Sequence, residues 1–365
     1  MFWFVVASLM PAALLAAAFA AGGVWPALAL GYTTVVVALT DKFGTGHLPV
    51  RDEAAVLRAA DRLSVVLALA HFGLLAWGLW AICAAEWLGL GQSVLAALAL
   101  GLFMGQVSHP NAHELIHRPS RGLRMLGAGI YVSLLFGHHV SAHLRVHHVA
   151  VATPEDPNSA PKGQSFYRFW PRAWIGSFRA GLAAESAAMR RRQRPAPVWR
   201  HPYVMWCAGA VLCLCAAYGV AGGRGVAVYV ALAGYAQAQL LMADYVQHYG
   251  LRRQRRADGR REPAGAQHSW NARPWYSSAM MLNAPRHSDH HLNPMRAYPA
   301  LRLDPDMPVL PYAMPVMAVL ALAPPVWRRV MDPRVARWSA AAGGVGQTGV
   351  DLPQSGHADA VPDSP

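Results

Sequence analysis

The chain has 365 residues, of which 54% are hydrophobic and only 14% charged, and a formal net charge of +13 carried almost wholly by arginine. Mean hydropathy is +0.21, and long apolar runs place the chain among membrane proteins rather than soluble ones. The arginines crowd 168–200 and 252–261, beside apolar runs; this is the positive-inside pattern, and no nucleic-acid partner is expected.

In chain order, the first span is 2–21. Ala18-Phe19-Ala20 resembles a signal-peptide cleavage site, but no basic segment precedes the apolar run, so a retained anchor is expected. A second, short span covers 25–40, and 41–62 reads as a polar loop with a short amphipathic helix. Spans at 63–85 and 92–109 follow. The weaker stretch 123–137 lies between two histidine clusters and is not counted as a crossing. Segment 140–202 is the longest cytoplasmic stretch and contains ATPEDPNSA, rich in turn-forming residues. The last two spans are 203–221 and 226–247, and the proline-bearing 309–326 is a surface or interfacial segment. The expected fold is all-α and polytopic, with about six transmembrane helices arranged as hairpins 2–40, 63–109 and 203–247. One integral-membrane domain covers 1–335, and 336–365, which includes His357, is a disordered tail. Six spans put both termini and every histidine cluster on the cytoplasmic side. Cys83, Cys207, Cys213 and Cys215 all lie within spans and form no CxxC pair, so they are read as small core residues.

The chemistry lies in the histidines. HELIH carries His113 and His117, HLRVHH carries His143, His147 and His148, DYVQHYGL carries His248, and RHSDHH carries His287, His290 and His291. On a helix, positions i, i+3 and i+4 share a face, so each cluster can present its imidazoles to one point. Nine neutral nitrogen donors are too many for one ion and suit two. Imidazole favours iron, copper, zinc or nickel over magnesium or calcium. Hydrolytic zinc needs only about three protein ligands, whereas the carboxylate-bridged di-iron bundles need two Glu-x-x-His pairs and this chain has one, Glu114 to His117. A histidine-rich di-iron centre fits better. Glu114, Asp156, Asp244 and Asp289 are the candidate acceptors that would orient the imidazoles.

HELIHR, HLRVHHVAVATPEDP, DYVQHYGLRR, HSWN and NAPRHSDHHLNP resemble the signature blocks of the AlkB-type alkane 1-monooxygenases, within the membrane desaturase and hydroxylase superfamily. The resemblance runs from about residue 25 to 335. It implies a non-haem di-iron centre, two iron ions held by the nine histidines, in a multi-pass protein of the bacterial inner membrane whose active site faces the cytoplasm. It also implies hydroxylation of the terminal carbon of n-alkanes with O2 as co-substrate and electrons from rubredoxin and rubredoxin reductase as separate chains. The alternative substrates are a xylene-type alkylbenzene or a fatty acyl chain. The chain departs from the family pattern at Ala142, Val146 and Gln247, where the family commonly has Glu, Gly and Glu.

Other histidines receive plainer readings. His138 and His139 are expected to support the cluster, and His71 to be a hydrogen-bonded core residue. His47, His109, His201 and His268 are expected in loop or helix-end roles. The arginines at 252, 253, 255, 256, 260 and 261 serve either membrane topology or the docking of an acidic electron-transfer protein. Thr33 is placed beside the substrate channel by the family analogy. A metal transporter is the rival from another class, disfavoured because its polar residues would run through the bilayer depth.

Overall fold

A computed structural model describes residues 1–191 and 197–345. Those residues form helices joined by loops, with two isolated β-bridges and no strand. The first helices are α1 (Phe2–Ala21), α2 (residues 25–43), α3 (Ala54–Ala84) and α4 (Leu90–Ile116). The later helices are α5 (Arg121–Ser133), α6 (residues 138–150), α7 (Phe166–Arg190) and α8 (Pro202–His248). Short helices α9 (Trp275–Met280), α10 (His287–Leu292) and α11 (Met314–Ala321) lead to α12 (Pro324–Val345).

By length and composition, four of these can cross a membrane: α1, α3, α4 and α8. The expected six differ from this count for two physical reasons. The expected spans 203–221 and 226–247 are one continuous assignment, α8, but the chain turns at Ala221 and at Gly222, where φ is +56°. Such a φ is open to glycine without steric cost. The two arms fold back on each other: a Cβ on Gly209 would touch Val132, while Tyr229 donates to the neighbouring Ser133 carbonyl. In one straight helix, positions 209 and 229 would stand about 30 Å apart. Helix α2 is three abutting segments, Trp25–Gly31, a π-turn at Tyr32–Val36, and Val37–Phe43, and does not reach the apolarity of a crossing helix.

Helix α4 packs closely on the second arm of α8 because Gly101 and Gly105 lie one turn apart on its face. A Cβ at either would collide with the Tyr235 ring or the Gln239 amide, and Gln239 Nε2 donates to the Gly101 carbonyl at 2.8 Å. Small residues at this spacing allow backbones to approach without losing packing. Helix α7, amphipathic over its length, buries Phe166, Phe169, Ala173, Ser177 and Gly181 against α6 and α8. Segment 309–326 holds no helix long and apolar enough to cross a membrane, and its α11 packs Met314 and Met317 inward against α8. Cys83 is buried as expected, but Cys207 and Cys215 are exposed on the outer surface of α8, and all four cysteines are free. Helix α12 continues to Val345, past the expected domain limit at 335; the rest of the tail, with His357, lies outside the described residues.

Candidate metal centre

The nine histidines arrive from four elements. His113 and His117 stand at the end of α4, His143, His147 and His148 on α6, His248 at the last residue of α8, and His287, His290 and His291 on α10. Two π-turns shape the approach, Met104–Ser108 in α4 and His143–His147 in α6. A π-turn inserts one residue into a helix and redirects the side chains after it.

All nine converge, in two adjoining groups. His113, His117, His143, His148 and His290 form one, and His147, His248, His287 and His291 the other; within each group the candidate donor atoms lie within 4.8 Å of one another. In the first, His148 Nε2 stands 2.9 Å from His143 Nε2 and 3.2 Å from both His117 Nε2 and His290 Nε2. In the second, His287 Nε2 lies 3.0 Å from His248 Nε2 and 3.1 Å from His291 Nε2. The groups adjoin where the His148 and His291 rings sit 4.8 Å apart. The sequence clusters are therefore split: His147 leaves His143 and His148, and His290 leaves its neighbours His287 and His291.

Burial sets the protonation of these rings. It drives His143, His287, His290 and His291 well below the ordinary histidine range, with neighbouring imidazoles adding to the effect, and pushes His148 down to about 2. Burial also pulls His147 down, but the charge and hydrogen bond of Asp156 outweigh it and raise this one ring. The carboxyl of Asp156 is lowered in turn, the His147 interaction overcoming its own burial. Neutral, convergent imidazoles with free lone pairs are the state that binds a transition metal.

Of the four candidate acceptors, only Asp156 touches an imidazole. Its Oδ2 lies 2.9 Å from His147 Nδ1 and accepts from Ser159 Oγ at 2.7 Å, while its Oδ1 accepts the Asn158 amide at 3.0 Å. Asn158 Nδ2 in turn donates to Asp244 at 2.5 Å, tying the ATPEDPN loop to α8. Glu114 holds Arg118 and the Tyr298 amide, and Asp289 holds Arg296 and the Arg302 amide. These two carboxylates brace the backbone around the site. Gln247, in a position where a carboxylate was expected from the family pattern, donates to the Ala284 carbonyl. Ala142 is buried, its backbone so close to α7 that a Cβ on Gly181 would lie 3.2 Å from its Cα.

Sequence reasoning missed Asn271. Its Nδ2 donates to Ser288 Oγ at 2.7 Å and to the Pro308 carbonyl at 2.9 Å, and its Oδ1 accepts the Ser288 amide at 2.9 Å, pinning the first turn of α10. The motif HSWN was visible, but no sequence signal tied it to Ser288. His71 bridges Ser108 and Ser133 as a hydrogen-bonded core residue, and His201 accepts the Tyr203 amide at the start of α8. His268 pairs with Glu262, and His47 is exposed.

Beside the first group, on the side of the apolar helices, lies a small cavity of about 80 Å³. His113, His143 and His287 form one wall, and Leu240, Met281 and Met314 contribute to the others. Thr33 is buried on α2 but does not line it.

The model of the fatty acid desaturase family matches residues 87–312. The chain is 37% identical to alkane 1-monooxygenase 1 of Pseudomonas aeruginosa over 68% of its own length and 65% of the relative's. It is 35% identical to alkane 1-monooxygenase 2 of the same organism, over 72% and 70%. A more distant similarity, 26% over 66% and 64%, is to the hydroxylase component of a xylene/toluene monooxygenase of Pseudomonas putida. The chain thus spans about two thirds of the length of these curated relatives.

Proposed function

We propose that this chain, which belongs to the fatty acid desaturase family and within it to the alkane 1-monooxygenases, is a membrane monooxygenase that hydroxylates the terminal carbon of a hydrocarbon chain. n-Alkanes, the class named for its relatives, are the first substrates to test. The observation that carries this reading is the juxtaposition of nine convergent imidazoles, five buried and four half-buried and grouped five and four, with a largely apolar cavity at the end of a helical membrane bundle. In the net reaction a C–H bond, O2, two electrons and two protons yield a primary alcohol and water.

Two iron ions, held by the five-histidine and four-histidine groups, would supply the activation of oxygen when bound. The protein's own part is placement. His147 is oriented by Asp156, and α10 is fixed by Asn271 and Ser288. The cavity walls would hold a chain against the His113 and His143 side of the cluster. A terminal methyl has no intrinsic advantage over a methylene, so regiochemistry must come from that confinement.

The arginine-rich segments support a cytoplasmic orientation of the site in the bacterial inner membrane. Electrons would come from rubredoxin and its reductase. The loop after His248 offers exposed Arg255, Arg256 and Arg260 to an acidic donor, while Arg253 and Arg261 are engaged by the Val149 and Glu262 carbonyls and by Glu155.

The test is product analysis by gas chromatography. The chain, co-expressed with a rubredoxin and its reductase, is fed n-alkanes, xylene and fatty acids, with His290→Ala as the blank. Primary alkanols absent from the blank support the reading. Products from xylene or fatty acids alone would move the substrate and favour the second reading, to which the xylene/toluene relative lends support. Bound metal without any oxidised product would defeat both.

A further inference from the structure

The histidine rows on α4 and α6 both extend beyond the candidate metal centre. On α4 the row is His109, His113, His117, and on α6 it is His139, His143, His147. In each, the first member stands one helical turn before the first histidine of the nine, about 5 Å further along the axis. Both extra histidines line the cavity, and Tyr131 of α5 lies between them. Ring centroids run from His143 to His139 at 5.3 Å, from His139 to Tyr131 at 5.0 Å, and from Tyr131 to His109 at 5.6 Å.

These three side chains are only 3%, 3% and 0% exposed for His109, His139 and Tyr131, and among the described residues they are unsatisfied. Both nitrogens of His109, Nδ1 of His139 and the Tyr131 hydroxyl find no hydrogen-bond partner; the His109 ring approaches the Ala236 carbonyl without reaching hydrogen-bond geometry. A buried polar group without a partner is costly, and natural structures rarely keep one without a use. Three such groups around one cavity do not match a plain hydrocarbon.

We propose that His109, Tyr131 and His139 form a hydroxyl-binding subsite, and that the preferred substrate is an aliphatic chain bearing a neutral hydroxyl group several carbons from the end that is oxidised. The chemistry argues for this ligand. Imidazole and phenol offer both donors and acceptors to an O–H group. No lysine or arginine lines the cavity to pair with an anionic carboxylate, which favours a neutral hydroxyl. The subsite rests on the hydroxylase reading of the same cavity and narrows its substrate class.

The experiment compares decane with its positional alcohols in two assays. The first is the shift in melting temperature of metal-free protein in lipid nanodiscs at matched ligand loading. The second is product formation by the iron-loaded protein. At least one decanol isomer is expected to bind and turn over about tenfold better than decane, the usual penalty for leaving a built hydrogen-bonding site unmatched. His139→Phe, Tyr131→Phe and His109→Leu should each pull that ratio toward one. Equal response to decane and all its alcohols would overturn the proposal, and so would a preference unchanged in all three variants. Primary decanol acting purely as an inhibitor would also overturn it, because the pocket would then hold product. Loss of oxidation with every ligand would defeat the hydroxylase reading, while the binding assay would still decide the subsite.

Discussion

Asp156 Oδ2 lies 2.9 Å from His147 Nδ1, among the described residues the one hydrogen bond between a carboxylate and an imidazole of the nine-histidine centre. It fixes which nitrogen carries the proton and leaves Nε2 facing the other members of its group. Loss of such an orienting partner typically weakens metal affinity 10–100-fold. Asp156→Ala should therefore lose metal during dialysis at chelator concentrations that leave the parent loaded, with Asp156→Asn intermediate. Metal content by mass spectrometry is the measurement; equal retention in all three proteins would refute the role.

Asn271 holds the first turn of α10 through Ser288 and the Pro308 carbonyl. Truncation leaves the buried Ser288 amide without its acceptor, at about 1–3 kcal/mol, while the Ser288 hydroxyl keeps the Ala266 and Ser269 carbonyls and the Pro308 carbonyl keeps the backbone amide of residue 271. Asn271→Ala is expected to lower the thermal midpoint and the metal content together. Asn271→Asp, which keeps the acceptor for the Ser288 amide, should lose less.

Gly250 follows His248 by two residues and has φ +75°, and a Cβ there would lie 2.6 Å from Val335 Cγ2. The left-handed backbone costs a non-glycine residue about 1–2 kcal/mol, and overpacking adds about 1–3 kcal/mol. Gly250→Ala should destabilise the protein by about 2–5 kcal/mol in denaturant titration. Gly250→Ala with Val335→Ala should recover the packing share but not the backbone share.

His138 packs among Phe136, Trp174 and Phe178, and burial pushes its pKa down to about 4. Below pH 6.5 the unfolded chain takes up a proton that the folded chain refuses. Stability is therefore expected to fall as pH drops from about 6.5 to about 4, by on the order of 3 kcal/mol at most from this group. Below that window the folded state is protonated as well and the contribution levels off. His138→Phe should flatten this part of the stability–pH curve; an unaltered slope would show that His138 is not the responsible group.

How much of this was legible beforehand follows from what a periodicity can encode. Four-residue spacing places His113 with His117 and His287 with His291 on one face, and the structure keeps both pairs together. It cannot say which neighbouring helix that face meets. The bilayer-scale apolar runs, the arginine asymmetry and all nine donor identities were local properties, readable without coordinates. The division at Ala221-Gly222 was visible as a gap between two apolar runs. The extra turn carrying His109 and His139 was visible as spacing, but nothing in the chain linked either to Tyr131.

The sequence by itself determined a helical chain with membrane-length apolar runs and nine histidines as candidate donors, because hydrophobicity and side-chain chemistry belong to each residue alone. Only the tertiary structure decided the partition into five and four. A π-turn in α6 sends His147 to one group and His143 and His148 to the other, and the short helix α10 sends His290 away from His287 and His291. Tertiary packing also selected Asp156 over Glu114, Asp244 and Asp289 as the partner of an imidazole. Each outcome depends on backbone direction and on contacts between residues far apart in the chain, which hydrogen-bond geometry and close packing settle only when the helices meet.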